Sequence, residues 1–135
     1  MLPTSDVAKI ARARLEDAQV LLRGHRFDGA VYICGYAVEL ALKTRICRTL
    51  KWAEFPEKDS EFKSYHKIFK IHSLGDLLAL SGVDAKIKKK YLAEWSLVDT
   101  WKPENRYRPA GSVTPADCQA MISAARVLLR FLCRN

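Results

Sequence analysis

A chain of 135 residues suits one domain rather than two, residues 1–135 forming a single unit long enough to bury a core without cross-links. Lys and Arg number 23 against 15 Asp and Glu, a net charge of +8, which favours partners that carry phosphates or carboxylates. No run nears the ~20 apolar residues that cross a bilayer, and the start MLPTSDVAKIARARLED lacks the apolar stretch of a secretion signal, so a cytoplasmic domain with no membrane role is expected.

Thr4-Ser5-Asp6 offers N-cap side chains, after which Val7, Ile10, Ala11, Leu15, Ala18, Leu21 and Leu22 recur at helical spacing. A first helix of about five turns should stop at Gly24, and the short HRFDG link should return the next helix antiparallel. That second helix, about Asp28 to Thr49, contains AVYICGYAVELAL and is apolar over most of its circumference, so it should be the most enclosed. Ala30, Cys34, Ala37 and Ala41 form a seam for close helix approach. A narrow stripe remains, holding Tyr32, Tyr36, Glu39 and Lys43, and Glu39 precedes Lys43 in the favourable order for an i,i+4 ion pair.

The segment Lys51 to His72 is the least regular, mixing both charges with Trp52, Phe55, Phe62, Tyr65 and Phe69 around Pro56. A short helix or a mobile arm is expected within it. Its aromatics, set among lysines, suit base stacking, but a satellite cluster under the loop is the favoured reading. Ser73-x-x-Asp76 resembles a capping box and predicts a short helix to about Leu80. From Asp84 a fourth helix should run to about Trp101 with Ile87, Tyr91, Trp95, Val98 and Trp101 inward. Lys88-Lys89-Lys90 would then be a solvated face near its start, slightly opposed to the helix dipole. KPENRYRPAGSV reads as a loop, and Thr114 before Pro115 as a strong start for a last helix with Cys118, Met121, Ile122, Ala125, Leu128, Leu129 and Leu132 inward. Arg126, Arg130 and Arg134 line its outer side.

Cys34, Cys47, Cys118 and Cys133 sit singly in apolar helical patterns, without C-x2-C pairing or histidines at zinc-ligand spacing. They read as small buried hydrophobes in a reducing compartment, and no metal or cofactor is expected. No stretch longer than four residues alternates as a strand does. The predicted fold is all-α: an up-and-down four-helix bundle with an extra short helix.

ARARLEDAQVLLRGHRFDGAVYICGYAVELALKTRI, with HSLGDLLAL and DTWKPENRYRP downstream, resembles the HEPN (higher eukaryotes and prokaryotes nucleotide-binding) domain over roughly Ser5 to Arg134. The most specific part is GAVYICGYAVELALK followed by the turn Trp101…Arg106-Tyr107. The resemblance implies a helical bundle, commonly a homodimer, often encoded beside a minimal nucleotidyltransferase in prokaryotic toxin–antitoxin or other defence systems. Active ribonucleases of the family carry Arg-x4–6-His. Here the positions after Arg106 hold Gly111, Ser112 and Val113, those after Arg108 hold Val113, Thr114 and Pro115, and no arginine precedes His25, His66 or His72 at that distance. The pair is absent, so a non-nucleolytic module that binds a nucleotidyltransferase, a nucleotide or RNA is expected rather than an enzyme.

The residues singled out are Tyr36, Glu39 and Lys43 on the second helix with Asp99, Arg106, Tyr107 and Arg108 on the later turn. They form either a ligand site or a structural brace in which Glu39 neutralises Arg106 or Arg108. The alternative is an unconventional metal-independent ribonuclease toxin using Arg106 with Lys43, Glu39 or His72.

Overall fold

The computed structural model describes residues 2–55 and 70–134. Helix α1 (Thr4–Arg23) is followed after three residues by α2 (Phe27–Thr49), and short helices α3 (Leu74–Leu80), α4 (Asp84–Lys90) and α5 (Leu92–Val98) lead to α6 (Pro115–Leu132). A 3-10 turn, Pro103–Tyr107, interrupts the connection to α6. The all-α bundle holds, with α1, α2 and α6 as three long rods and α4 with α5 as the fourth. Two-residue strands β1 (Leu2–Pro3) and β2 (Glu54–Phe55) pair antiparallel, Leu2 opposite Phe55. Among the described residues no helix is long and apolar enough to cross a membrane.

Helix α2 packs against α1, α6, α3 and the 3-10 turn, so it is the axis of the fold. Its seam of Ala30, Cys34, Ala37 and Ala41 is fully buried, as the small-residue spacing requires. All four cysteines are free and buried. Burial pushes the Cys34 thiol up to about 12 and that of Cys47 to about 11, so both behave as hydrophobes rather than nucleophiles. Of the irregular segment's aromatics, Trp52 and Phe55 are partly buried and pack against the main core. Phe62, Tyr65 and Phe69, and the short helix or arm expected there, lie outside the described residues.

Local signals held at several ends. The Ser73 hydroxyl accepts the Asp76 amide at 3.3 Å to cap α3, and the Thr114 hydroxyl accepts the Asp117 amide at 3.1 Å to cap α6. Elsewhere tertiary contacts replaced the local ones. Thr4 does not cap α1; it lies inside the helix and its hydroxyl donates to the Trp52 carbonyl at 2.9 Å, tying the chain start to the stretch before β2. The fourth helix is not continuous to Trp101. It breaks at Tyr91 (φ −125°, ψ 28°), whose ring turns onto Phe131 at 5.2 Å, and α5 ends at Val98. The break changes the meaning of Lys88-Lys89-Lys90, which occupy the last turn of α4 and complement the helix dipole instead of opposing it.

Two arginines of α2 close the far end of α6. Arg45 Nε donates to the Leu132 carbonyl at 3.0 Å, and Arg48 donates to the carbonyls of Cys133 and of Arg134, the latter at 2.7 Å. These guanidiniums satisfy carbonyls that have no helical partner. At the other side of the bundle, Arg126 pairs with Glu16 at 3.2 Å and binds α6 to α1.

Among the described glycines, Gly35 is the one most closely approached, by Trp101. A Cβ built on Gly35 would lie 2.0–2.1 Å from the indole ring, so only glycine admits the tryptophan there. Trp101 is thereby buried flat against α2 and fixes the start of the 3-10 turn. Gly35→Ala should therefore cost about 3 kcal/mol of stability through overpacking, whereas Gly29→Ala, whose added methyl would meet Leu21 at an ordinary 3.8 Å, should be neutral or stabilising by about 0.5 kcal/mol. Urea denaturation midpoints of the two variants measure the contrast, and equal midpoints would show that Trp101 does not depend on the bare backbone.

Candidate functional site

The polar stripe of α2 divides into two parts. The inner part is Glu39 and Lys43, one helical turn apart, with Lys43 Nζ 3.1 Å from Glu39 Oε2 and both side chains only 5% exposed. Taking two charges this far from water costs several kcal/mol each unless the remaining lone pairs find donors. The second carboxylate oxygen does find one. His72 Nδ1 lies 2.9 Å from Glu39 Oε1, while its own side chain is 54% exposed. One acid is thus held between a buried ammonium of its own helix and an imidazole from the segment that enters α3.

This pairing corrects the expected brace. Glu39 does not neutralise Arg106 or Arg108; among the described residues its partners are Lys43 and His72. The residue that reaches both acid and arginine is Tyr36, which feels the charge of each.

The outer part of the stripe is Tyr32 and Tyr36, hydroxyls 3.3 Å apart and rings edge to face at 5.2 Å. With Tyr36 donating, its own phenol is pushed up to about 12, chiefly by that hydrogen bond and by burial. The Tyr32 phenol is lowered, first by the bond from Tyr36 and then by a bond from Arg106. The Tyr36 ring also meets Trp101 edge to face at 4.9 Å, which couples the stripe to the turn.

Arg106, on the 3-10 turn, stands over the Tyr107 ring at 4.9 Å. The phenols of Tyr107 and Tyr32 raise its pKa further, and among the described residues no carboxylate forms an ion pair with it, although Asp28, Asp99 and Glu104 stand in the walls of the hollows around it. Two hollows share it. The larger, about 910 Å³, is lined by Tyr36, His72, Asp99, Trp101, Lys102 and Arg106 among others. The smaller, about 250 Å³, includes Asp28, Tyr32, Asn105, Arg106, Arg108 and Ser112 in its wall. Asp28 is already engaged there: its carboxylate accepts the amides of Gly111 and of Val113, at 2.6 and 3.0 Å, and pins the loop before α6. Gly111 sits at φ +83°, a conformation that favours glycine.

The residues singled out in the sequence therefore fall into three places. Tyr36, Asp99 and Arg106 line the larger hollow; Arg108 lines the smaller one with Arg106 again; Glu39 and Lys43 lie beneath, behind His72. Tyr107 is 76% exposed and serves as the platform for Arg106. Contributors that were not singled out as site residues include Tyr32, Trp101, Lys102, Glu104 and Asn105, with Asp28 and Ser112 in the wall of the smaller hollow. For Tyr32 the signal was present, since it lies four residues before Tyr36 on the same stripe. Among the described residues no group of three or more His, Cys, Asp or Glu side chains is placed to hold a metal ion.

In comparison with known proteins, the family model of the HEPN domain matches residues 4–135, nearly the whole chain. No curated protein and no solved structure matches it.

The buried acid makes a sharp energetic forecast. Lys43→Met leaves Glu39 in the interior with only His72 and should cost about 3 kcal/mol. Glu39→Leu combined with Lys43→Met removes both charges and should recover most of that loss. Chemical denaturation of the single and double variants reads the difference, and a double variant as unstable as the single one would contradict the account of a desolvated pair.

Proposed function

The chain belongs to the HEPN domain family, and from that membership we propose that it is a non-nucleolytic binding module whose ligand is a nucleotide or a short stretch of RNA. The observation that carries this reading is that Arg106, charged and without a carboxylate partner among the described residues, forms a wall common to both hollows. A phosphate in the smaller hollow meets Arg106 and Arg108, with Asn105 and Ser112 as neutral hydrogen-bonding groups, and a guanidinium fork matches that geometry. The larger hollow, walled in part by Tyr36 and Trp101, has the volume and the aromatic lining that a nucleoside needs. Its acids, Asp99 and Glu104, balance Lys102 and Arg106, which suits the less charged half of such a ligand.

The wider setting we propose, which the family resemblance supports, is a cytoplasmic homodimer that partners a minimal nucleotidyltransferase in a prokaryotic toxin–antitoxin or defence system. A second reading has one specific observation in its favour. The Glu39–His72 contact uses Nδ1 and leaves Nε2 available, on a hollow that Arg106 also lines. In that arrangement Nε2 takes the proton of an RNA 2′-hydroxyl, the 2′-oxygen attacks the adjacent phosphorus to form a 2′,3′-cyclic phosphate, the 5′-oxygen leaves and takes a proton from water, and Arg106 faces the charge on phosphorus. The sequence offers no Arg-x4–6-His, but a histidine from another segment stands in the same hollow.

Two measurements separate the readings. Titration of the protein with ATP and with a short RNA oligomer at low salt should give saturable binding that Arg106→Ala weakens by about ten- to a hundredfold, the scale of one charge-assisted phosphate contact. An unchanged affinity in that variant would refute the site. Incubation with the same RNA in the presence of a chelator should leave it intact; cleavage that disappears in His72→Ala, with the variant still folded by circular dichroism at the assay temperature, would instead establish the ribonuclease.

A further inference from the structure

The charge excess of the chain is concentrated in part on a face away from both hollows, where the end of α4 meets the end of α6. Lys86, Lys89 and Lys90 on α4 and Arg134 just past the end of α6 are exposed, and none forms an ion pair among the described residues. Three of these four cations lie over aromatic rings. Lys86 Nζ and Arg134 Cζ each lie 5.5 Å from the centroid of Phe131, and Lys90 Nζ lies 5.6 Å from that of Tyr91, which itself packs on Phe131 at 5.2 Å. Behind them Arg45 and Arg48 add two more cations, committed to the carbonyls at the end of α6. Along α2, Arg45 and Arg48 stand about 15 Å beyond Tyr36 at 1.5 Å per residue, so this face is not an extension of the cleft.

Stability does not call for this arrangement. The lysines of the last turn of α4 complement its dipole, but that favours a cation or two within one turn and does not gather Lys86 and Arg134 around a single ring. Like charges packed this closely repel one another and raise the potential outside them.

We propose that this face is a docking surface for the phosphate backbone of a double-helical nucleic acid, separate from the ligand cleft. Two observations select that partner. The rings here lie under cations, Phe131 being only 9% exposed and Tyr91 partly buried, so little aromatic face is left on which an unstacked base could lie. What is presented is a fixed array of positive charge, which reads phosphates at the spacing of a regular backbone and carries no base-edge chemistry. A bilayer surface is the poorer fit, because α4 buries Ile87 completely and has no apolar side to insert.

The test uses the whole chain and a 20-base-pair duplex, as RNA and as DNA, with fluorescence anisotropy over a salt series. The combined variant Lys86→Gln, Lys89→Gln, Lys90→Gln, Arg134→Gln should bind the duplex far more weakly, with the slope of log K against log salt reduced by about 3 to 4, near 0.9 for each phosphate that is no longer neutralised. Arg106→Ala should leave that slope unchanged, so failure of the cleft reading and failure of this one are distinguishable. Lys89→Glu alone, a substitution of an exposed side chain, should weaken binding in the same direction and serves if the combined variant unfolds. The RNA and DNA arms identify which duplex is preferred. An unaltered slope in the combined variant, a single strand bound as tightly as the duplex by the Arg106→Ala variant, or capture by phosphatidylserine vesicles in place of the duplex would overturn the proposal.

Discussion

The structure is organised around one carboxylate that water does not reach. Glu39 lies in the middle of the most enclosed helix, and a charge in that position survives only if both its oxygens are occupied. Lys43 supplies one partner from the same helix, and His72 supplies the other from a segment 33 residues further along the chain. The need to satisfy this acid sets where the chain must pass as it enters α3. It fixes Ile71–Leu74 against α2 and so builds one wall of the larger hollow.

The opposite wall depends on a different kind of constraint. Trp101 lies on the bare backbone of Gly35, and Tyr36 braces it edge-on from the next position of the helix. One wall is thus anchored by charge and the other by shape, both on adjacent turns of α2. Arg106 extends from the second wall and rests on Tyr107 and Tyr32 rather than on an acid. A guanidinium held by aromatic and phenolic groups keeps its full charge available to an incoming anion, which one locked to a carboxylate does not.

The regular parts of this fold were legible because they follow from period and punctuation. The faces of α1, α2 and α6, the caps at Ser73 and Thr114, and the Glu39–Lys43 pair are all decided within a few residues of one another. What was not legible is what depends on which elements meet. Periodicity placed Glu39 on a stripe but did not select His72 over Arg106 as its partner. It carried the fourth helix through Tyr91, where the ring's contact with Phe131 turns the chain, and so gave the lysine run the wrong end of a dipole. Thr4 has the composition of a cap, but a carbonyl at Trp52 outcompetes the helix end for its hydroxyl. Gly35, outside the seam of Ala30, Cys34, Ala37 and Ala41, carries no signal of its own in the sequence; the need for it shows only where Trp101 lies on it.

The central claim is that the two walls rising from α2 enclose one ligand site with Arg106 at its centre. The most direct measurement is a proton–nitrogen NMR titration with AMP, following the Arg106 Nε–H and the Trp101 indole Nε1–H in a single experiment. The account predicts that both resonances shift together and saturate at one ligand concentration, while the Arg130 and Arg134 side chains do not respond. Saturating shifts confined to those distant arginines, with Arg106 and Trp101 unmoved, would contradict it.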